Sequence, residues 1–369
     1  MRIPNNLIAF AGTGLATYEM FQDYWNHHLS NSGKEGLEYH GVDENGTPIS
    51  FAEKEDRMNA ALKREIVRQS GIVGFDEMPL EKWVTHPTLS WATFAVVSAM
   101  IDTILPQTLV DGLGMYTDVR NVGWGDSASF DVEARDLFVV SKAGRAQRSS
   151  EVKKQFKGQF TIIPEMHQIT VQVSLYKVLA GLESLAAFVT KMIRSLETQI
   201  TVDTYNVFNV AMEALPSTAT TGLRVSGYTQ ASLVRLCQQV TAWNGGQKAI
   251  ICGTQLALVN VLPDDANYRY ILESDYVRIG YLRTAFGYDV LAMPQVVDVG
   301  TPFGTVLDNS NLYILSPAGQ KLVKLVYEGS TLANTTGTFE NANLTQNATI
   351  WKSYKAAIGT SAVAGIITL

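Results

Sequence analysis

The stretch Val178–Leu215, VLAGLESLAAFVTKMIRSLETQITVDTYNVFNVAMEAL, decides how the rest of the chain is arranged. Val178, Leu182, Leu185, Val189, Met192, Leu196 and Ile200 recur at spacings of three and four, which puts them on one stripe of a helix. Lys191, Arg194, Glu197, Thr198 and Thr201 fall largely on the other faces, and the pattern continues less cleanly through Tyr205, Phe208, Met212 and Leu215. Pro216 stops it, and residues 217–222 form a loop of small polar residues. At about 1.5 Å per residue such a helix reaches roughly 50 Å. Two arrangements fit: a pair of consecutive core helices, or a single structural strut.

The segment before this helix changes period. Phe130, Val132 and Ala134 alternate with Asp131, Glu133 and Arg135, and Ile169, Val171 and Val173 alternate with Thr170 and Gln172. Period-two alternation indicates half-buried strands. Between them lie Lys142, Arg145, Arg148, Lys153, Lys154 and Lys157, offset only by Glu151. A strand, a charged tip and a returning strand make a long β-hairpin over Leu109–Ser174, with too few apolar residues at its tip to bury itself. The basic tip is either a solvated loop or a contact that meets an acidic surface on a neighbouring subunit.

After Pro216 the pattern is that of a compact α/β unit: a helix over Ser232–Trp243, a turn at Asn244-Gly245-Gly246, a buried strand over Lys248–Cys252, and a helix from Thr254 stopped by Pro263. A turn at Phe286-Gly287 leads into a strand, and Leu312–Leu315 and Leu322–Tyr327 are further strands. Gly329–Asn347 is rich in Thr, Asn and Gly. Ile350–Lys355 and Ala362–Leu369 are the last strand candidates, the final one pairing elsewhere. Upstream, a helix over Thr17–Leu29 precedes a turn-rich segment. Ser50 with Glu53 forms a capping box for a charged helix ending at Gly71. A more apolar helix begins at Thr88 or Ser90, ends before Pro106, and buries Trp91, Phe94, Ala95 and Met100.

The 369 residues suffice for two or three compact units, and the net charge of −6 argues against tight sequence-specific nucleic-acid binding. Cys237 and Cys252 lack zinc-ligand spacing and are expected to be buried thiols of a protein made in a reducing cytoplasm. No apolar run is long enough to cross a membrane, and the stretch from Leu7 to Ala16 is too short and too interrupted by glycine for a signal peptide.

Catalytic constellations are sparse. None of His27, His28, His40, His86 and His167 lies in a metal-binding spacing, so they are expected to be core or surface histidines. Gly12 and Gly14 partly imitate a dinucleotide-binding turn, but the third glycine position holds Thr17 and no acidic residue ends a second strand. Asn45, Asn334, Asn343 and Asn347 match the glycosylation pattern and are expected to reflect turn and surface composition. No catalytic residue, cofactor or metal is assigned.

The order of elements is distinctive: an N-terminal arm, a long charged hairpin, a long helix, a compact α/β unit and a late return to strands. It resembles the major capsid proteins of tailed bacteriophages, the Hong Kong 97 phage capsid fold. The resemblance is carried mainly by Gly144–Leu215, where residues 151–156 precede the returning strand, residues 168–174 lead into the helix and residues 203–215 end it. Ser232–Pro263, with Lys248–Cys252 between helices, resembles the axial domain of that fold. The resemblance implies an α+β chain divided into an N-terminal arm with associated helices (1–105), an extended β-hairpin loop (106–174), a peripheral-domain spine helix (175–222), an axial domain (223–328) and a return to the peripheral domain (329–369). It also implies a structural subunit, not an enzyme, that self-assembles into hexamers and pentamers of an icosahedral head around double-stranded DNA. The hairpin tip would supply inter-subunit contacts through Lys142, Arg145, Arg148, Lys153, Lys154 and Lys157. Implied partners are further copies of the chain, scaffolding, portal and decoration proteins, and packaged DNA held by weak non-specific contact, with no membrane. The expected location is the virion capsid, assembled in the host bacterial cytoplasm. An encapsulin-like cargo compartment is similar in fold, and a cytoplasmic nucleotide-dependent enzyme using Gly12 and Gly14 is the rival from another class.

Overall fold

Ser184 sets where the long helix begins. In the computed structural model, residues 15–31, 50–72, 86–108, 116–133, 157–173, 177, 183–217, 222–262, 279–298, 300–317, 321–335 and 346–369 are described. The chain forms two compact units: Met1–Leu109 with Glu165–Glu197 and Gly329–Ser353, and Val110–Pro164 with Thr198–Glu328 and Tyr354–Leu369. The elements are α1 (Leu15–Asn31), α2 (Phe51–Ser70), α3 (Pro87–Thr108), β1 (Thr117–Val122), β2 (Ala128–Glu133), β3 (Lys157–Ile162), β4 (Glu165–Val173), α4 (Leu185–Glu213), β5 (Arg224–Ser226), α5 (Gln230–Trp243), β6 (Ile250–Gly253), α6 (Gln255–Leu258), β7 (Thr284–Ala285), β8 (Tyr288–Ala292), β9 (Asn311–Leu315), β10 (Val323–Thr335), β11 (Gln346–Ile358) and β12 (Gly365–Thr368). Three of them, α4, β10 and β11, contribute residues to both units.

The strut arrangement holds: α4 is one helix of 29 residues, about 43 Å long. It starts later than the periodicity suggests. Ser184 Oγ accepts from Ala187 N at 3.2 Å, and Asn59 Oδ1, from α2, accepts from Ala186 N at 3.1 Å. Two side chains thus satisfy amide donors that a helix start leaves free. The expected stripe is buried from Leu185 through Val189, Met192, Leu196 and Ile200 to Tyr205, Phe208 and Met212. Val178 and Leu182 lie outside the described residues. Ile193, fully buried, belongs to the same face. Ile193→Asp should therefore leave the chain insoluble or unfolded, checked by expression in the soluble fraction and circular dichroism. A buried carboxylate without a partner costs several kcal/mol, a large share of the stability of an ordinary domain.

In the first unit α2 packs against α1 and α3. Ser50 Oγ accepts from Glu53 N at 3.2 Å, and Gly71 closes the helix in the left-handed conformation at φ 68°. Lys54, buried on α2, reaches Asp23 of α1 at 2.8 Å. Three expectations for α3 are corrected. The helix begins at Pro87, where a missing amide hydrogen costs nothing, and runs past Pro106 to Thr108. A proline in the last turn removes only one of the helix's many hydrogen bonds. Trp91 is 57% exposed, while Phe94 and Met100 are buried as expected. Asp102 of α3 accepts from Lys352 Nζ at 2.8 Å and from Thr331 N at 2.8 Å, tying the helix to β10 and β11. In this unit β4 runs beside β11.

In the second unit a six-stranded sheet has the order β5-β12-β9-β6-β8-β7. Its central strand β9 is buried throughout, and alternate residues enter different cores. Leu312 and Ile314 join Leu233, Leu236, Cys237 and Val240 of α5, whereas Tyr313 and Leu315 join Tyr205, Phe208 and Met212 of α4. The sheet is therefore covered on one face by α5 and on the other by the C-terminal half of α4, which explains its continuous apolar runs. Thr229 and Ser232 form a reciprocal capping box, so α5 starts two residues before the expected Ser232. The α6 helix is shorter than expected, ending at Leu258. The Phe286-Gly287 turn is present, with φ of 53° and 83°, and joins β7 to β8.

The final strand pairs elsewhere, as expected: β12 lies between β9, antiparallel, and β5, parallel. Within 329–369, Gly329–Ser353 belongs to the first unit and Tyr354–Leu369 to the second. β10 continues to Thr335, into the segment whose composition suggested loop. Asn334 and Asn347 accordingly sit in strands; Asn45 and Asn343 lie outside the described residues.

Cys237 and Cys252 are free and buried, and burial pushes both thiols up to about 12. Neither should react with a thiol reagent at pH 8 in the folded chain, and both should react after denaturation. A spectroscopic thiol titration with and without guanidinium checks this.

Candidate assembly surface

The hairpin is narrower than its sequence pattern implied. β2 pairs antiparallel with β3 from Ala128↔Ile162 to Glu133↔Lys157. The returning strand is therefore Lys157–Ile162, not Gln168–Val173, which forms β4 beside β11. Pro164 separates the two strands, and its missing amide hydrogen suits a ladder's end. The expected alternation in both segments is nevertheless present: Phe130 is buried and Asp131 exposed, and Ile169 and Val171 are more buried than Thr170 and Gln172.

The hairpin's base is anchored by aromatic packing. The Phe130 and Phe160 rings stack at 5.5 Å, and Phe130 joins Ala128, Ile162 and Val326 in a small core. β1, which leads into the hairpin, pairs in parallel with β10, Thr117↔Val323 to Val122↔Glu328. This pairing brings cationic side chains over the Phe130 ring. The Arg120 guanidinium lies 4.0 Å from the ring centroid and Lys324 Nζ 5.4 Å from it, within reach of its negative face.

These groups line an open depression of about 450 Å³ with Asp118, Ser129, Asp131 and Lys321. Arg120 Nη1 donates to Ser129 O at 3.0 Å, Lys321 Nζ to Thr117 O at 2.9 Å, and Lys324 Nζ to Asp118 Oδ2 at 3.2 Å. Lys157 Nζ lies 2.8 Å from Asp131 Oδ2, with both side chains more than half exposed. An ion pair so exposed contributes at most about 1 kcal/mol. The cluster is suited to polar surface contact.

Of the six expected contact residues, Lys157 is placed on the last described pair of the ladder, opposite Glu133. Lys142, Arg145, Arg148, Lys153 and Lys154 lie outside the described residues. The sequence reading missed Asp118, Arg120, Lys321 and Lys324. Their signal was weak: Thr117–Val122 is six residues long and mostly polar, and nothing local to it points to Lys324 across a parallel ladder.

Other candidate groups stay apart. His27 is buried, its ring edge-on to Phe51 at 5.5 Å; His86 Nδ1 meets Thr88 Oγ1 at 2.6 Å; and His167 Nδ1 faces Glu165 O at 3.0 Å. Gly12, Gly14 and His40 lie outside the described residues. Among the described residues no three His, Cys, Asp or Glu side chains are placed to hold a metal ion, and no helix is long and apolar enough to cross a membrane.

No protein-family model matches the sequence, and no curated protein does. Among solved structures the chain is similar to the mature capsid of bacteriophage PhiM1, at 10% identity over 69% of this chain and 86% of that one, TM-score 0.42. It is similar to the capsid of an empty GTA particle, at 13% identity over 70% and 96%, TM-score 0.46. It is also similar to a virus-like particle from Pyrococcus furiosus, at 10% identity over 71% and 95%, TM-score 0.41. The chain is an α+β protein similar in fold to these solved capsid chains.

Proposed function

We propose that this chain is a major capsid protein, a structural subunit that self-assembles into hexamers and pentamers of an icosahedral phage head enclosing double-stranded DNA. The observation that supports it most is the β2–β3 hairpin. It is a two-stranded sheet with a buried base, and its ladder is described up to Glu133↔Lys157, between which the sequence carries the basic residues Lys142, Arg145, Arg148, Lys153 and Lys154. Isolated two-strand ribbons are marginal in water, and open strand edges invite pairing with another chain. A neighbouring subunit supplies both the missing cover and, in a chain of net charge −6, acidic surface for the tip.

On this reading residues 1–105 are an arm with associated helices, 106–174 the extended loop, 175–222 the spine, 223–328 the axial domain at the centre of capsomers, and 329–369 the return. Lys142, Arg145, Arg148, Lys153, Lys154 and Lys157 contact the neighbouring subunit. Many modest interfaces repeated by symmetry stabilise the shell. Scaffolding, portal and decoration proteins are its further partners, DNA touches the wall only weakly, and assembly takes place in the host bacterial cytoplasm. An encapsulin-like compartment is the second reading, favoured by the likeness to the Pyrococcus furiosus particle.

The contents of purified particles test the choice. Nuclease-protected double-stranded DNA, with portal protein present, supports the phage head. Particles holding a single enzyme and no DNA overturn it in favour of the compartment.

A further inference from the structure

Two residues other than glycine adopt the left-handed backbone conformation among the described residues, Phe286 at φ 53° and Phe303 at φ 59°. That conformation is unfavourable for any side chain with a Cβ and rare for a bulky one. Phe286 recovers the loss inside its own fold, because its ring packs against the α5 core. Phe303 does not. Its relative exposure is 105%, the highest of any large apolar residue described.

The loop that carries Phe303 is built to hold it there. Val306 N donates to Val296 O at 3.0 Å, Asp298 N to Gly304 O at 3.0 Å, and Val297 bridges Thr305. The Asp298 carboxylate accepts from Gly300 N at 3.0 Å and from Thr301 Oγ1 at 2.8 Å. Gly304 N closes the tip onto Thr301 O at 2.9 Å, and a Cβ at Gly304 would stand 2.8 Å from Thr301 Cβ. Below, the Gln295 side chain bonds Leu307 through both its carbonyl and its amide. The tip is therefore a braced hairpin that presents Phe303, with exposed Val297 beside the bridge, to the outside.

We propose that Phe303 is an assembly anchor that inserts into an apolar surface of a second copy of this chain. The inference rests on the capsid reading. The size of the anchor favours identical copies as its target. One aromatic side chain covers on the order of 200 Å², far below the roughly 800 Å² per partner of a standing two-body interface. It works as one of several contacts repeated by symmetry. Holding the ring on a braced tip lowers the entropy lost on docking. The strained backbone is then retained for what the ring does in the assembly.

Two substitutions test it in the full-length chain. Phe303→Asn keeps a residue that tolerates the left-handed conformation and removes the ring. Its melting temperature should equal or exceed the parent's, and the concentration needed for assembly should rise roughly 30-fold, the size expected of an aromatic hot spot. Replacing Phe303 with p-benzoylphenylalanine and irradiating assembled material should give covalent chain-to-chain adducts on a denaturing gel. Assembly of Phe303→Asn at the parent's concentration, or irradiation giving no chain-to-chain adduct, overturns the anchor and leaves the capsid reading standing. A parent chain that never assembles overturns both.

Discussion

A chain whose residues 142–154 are replaced by Gly-Ser-Gly should fold as the parent does and form no closed particles. The replacement removes Lys142, Arg145, Arg148, Lys153 and Lys154 and spares Lys157, which stands opposite Glu133 in the ladder and forms an ion pair with Asp131. It leaves the Phe130–Phe160 stack and the small core beneath the hairpin untouched. With that core retained, the melting temperature should stay within about 2 °C of the parent's. Assembly should be lost altogether, because the tip's contacts recur at every subunit of a symmetric shell. Normal particles from this variant, seen by negative-stain imaging, would show that the hairpin is a solvated loop.

Lys352→Ala should destabilise the chain by about 3–5 kcal/mol, read from the urea unfolding curve. The Lys352 side chain is 6% exposed and that of Asp102 15%, so removing the ammonium leaves a carboxylate in a poorly solvated place. Lys352 Nζ also donates to Gly329 O at 3.2 Å, which would lose a partner. Asp102→Ala should cost at least as much, because Thr331 N and Thr331 Oγ1 lose the same acceptor. The pair Asp102→Asn with Lys352→Met should recover part of the loss, since no charge is then left buried. Equal stability of the parent and Lys352→Ala would mean that this ion pair is open to water.

The elements most legible in the sequence were those whose apolar periodicity is long. The stripe from Leu185 to Met212 could be read because one face of α4 stays buried along the whole helix. The same holds for the Ser50 and Gly71 ends of α2, where the capping chemistry is local. What escaped depended on distant partners. The start of α4 is assisted by Asn59 of another helix, and an assisted start cannot be read from Val178 onward. β3 was missed because Lys157–Ile162 contains only two large apolar residues, Phe160 and Ile162, and its identity comes from pairing with β2. The extent of β10 was missed for a related reason: Thr331 is ordered in its strand by Asp102, some two hundred residues earlier in the chain. In the candidate surface, the charge run was plain in composition, whereas the Arg120–Phe130–Lys324 cluster needed the parallel pairing of β1 with β10. Phe303 carried no signal, since a Thr-Pro-Phe-Gly tetrapeptide announces a turn but not which side chain it exposes.

The particle mass of the purified chain, measured by light scattering with negative-stain imaging of the same fraction, tests the shell proposal most directly. Closed shells, or hexamer and pentamer capsomers, are the expected result. A stable monomer or dimer under assembly-permissive conditions would contradict it.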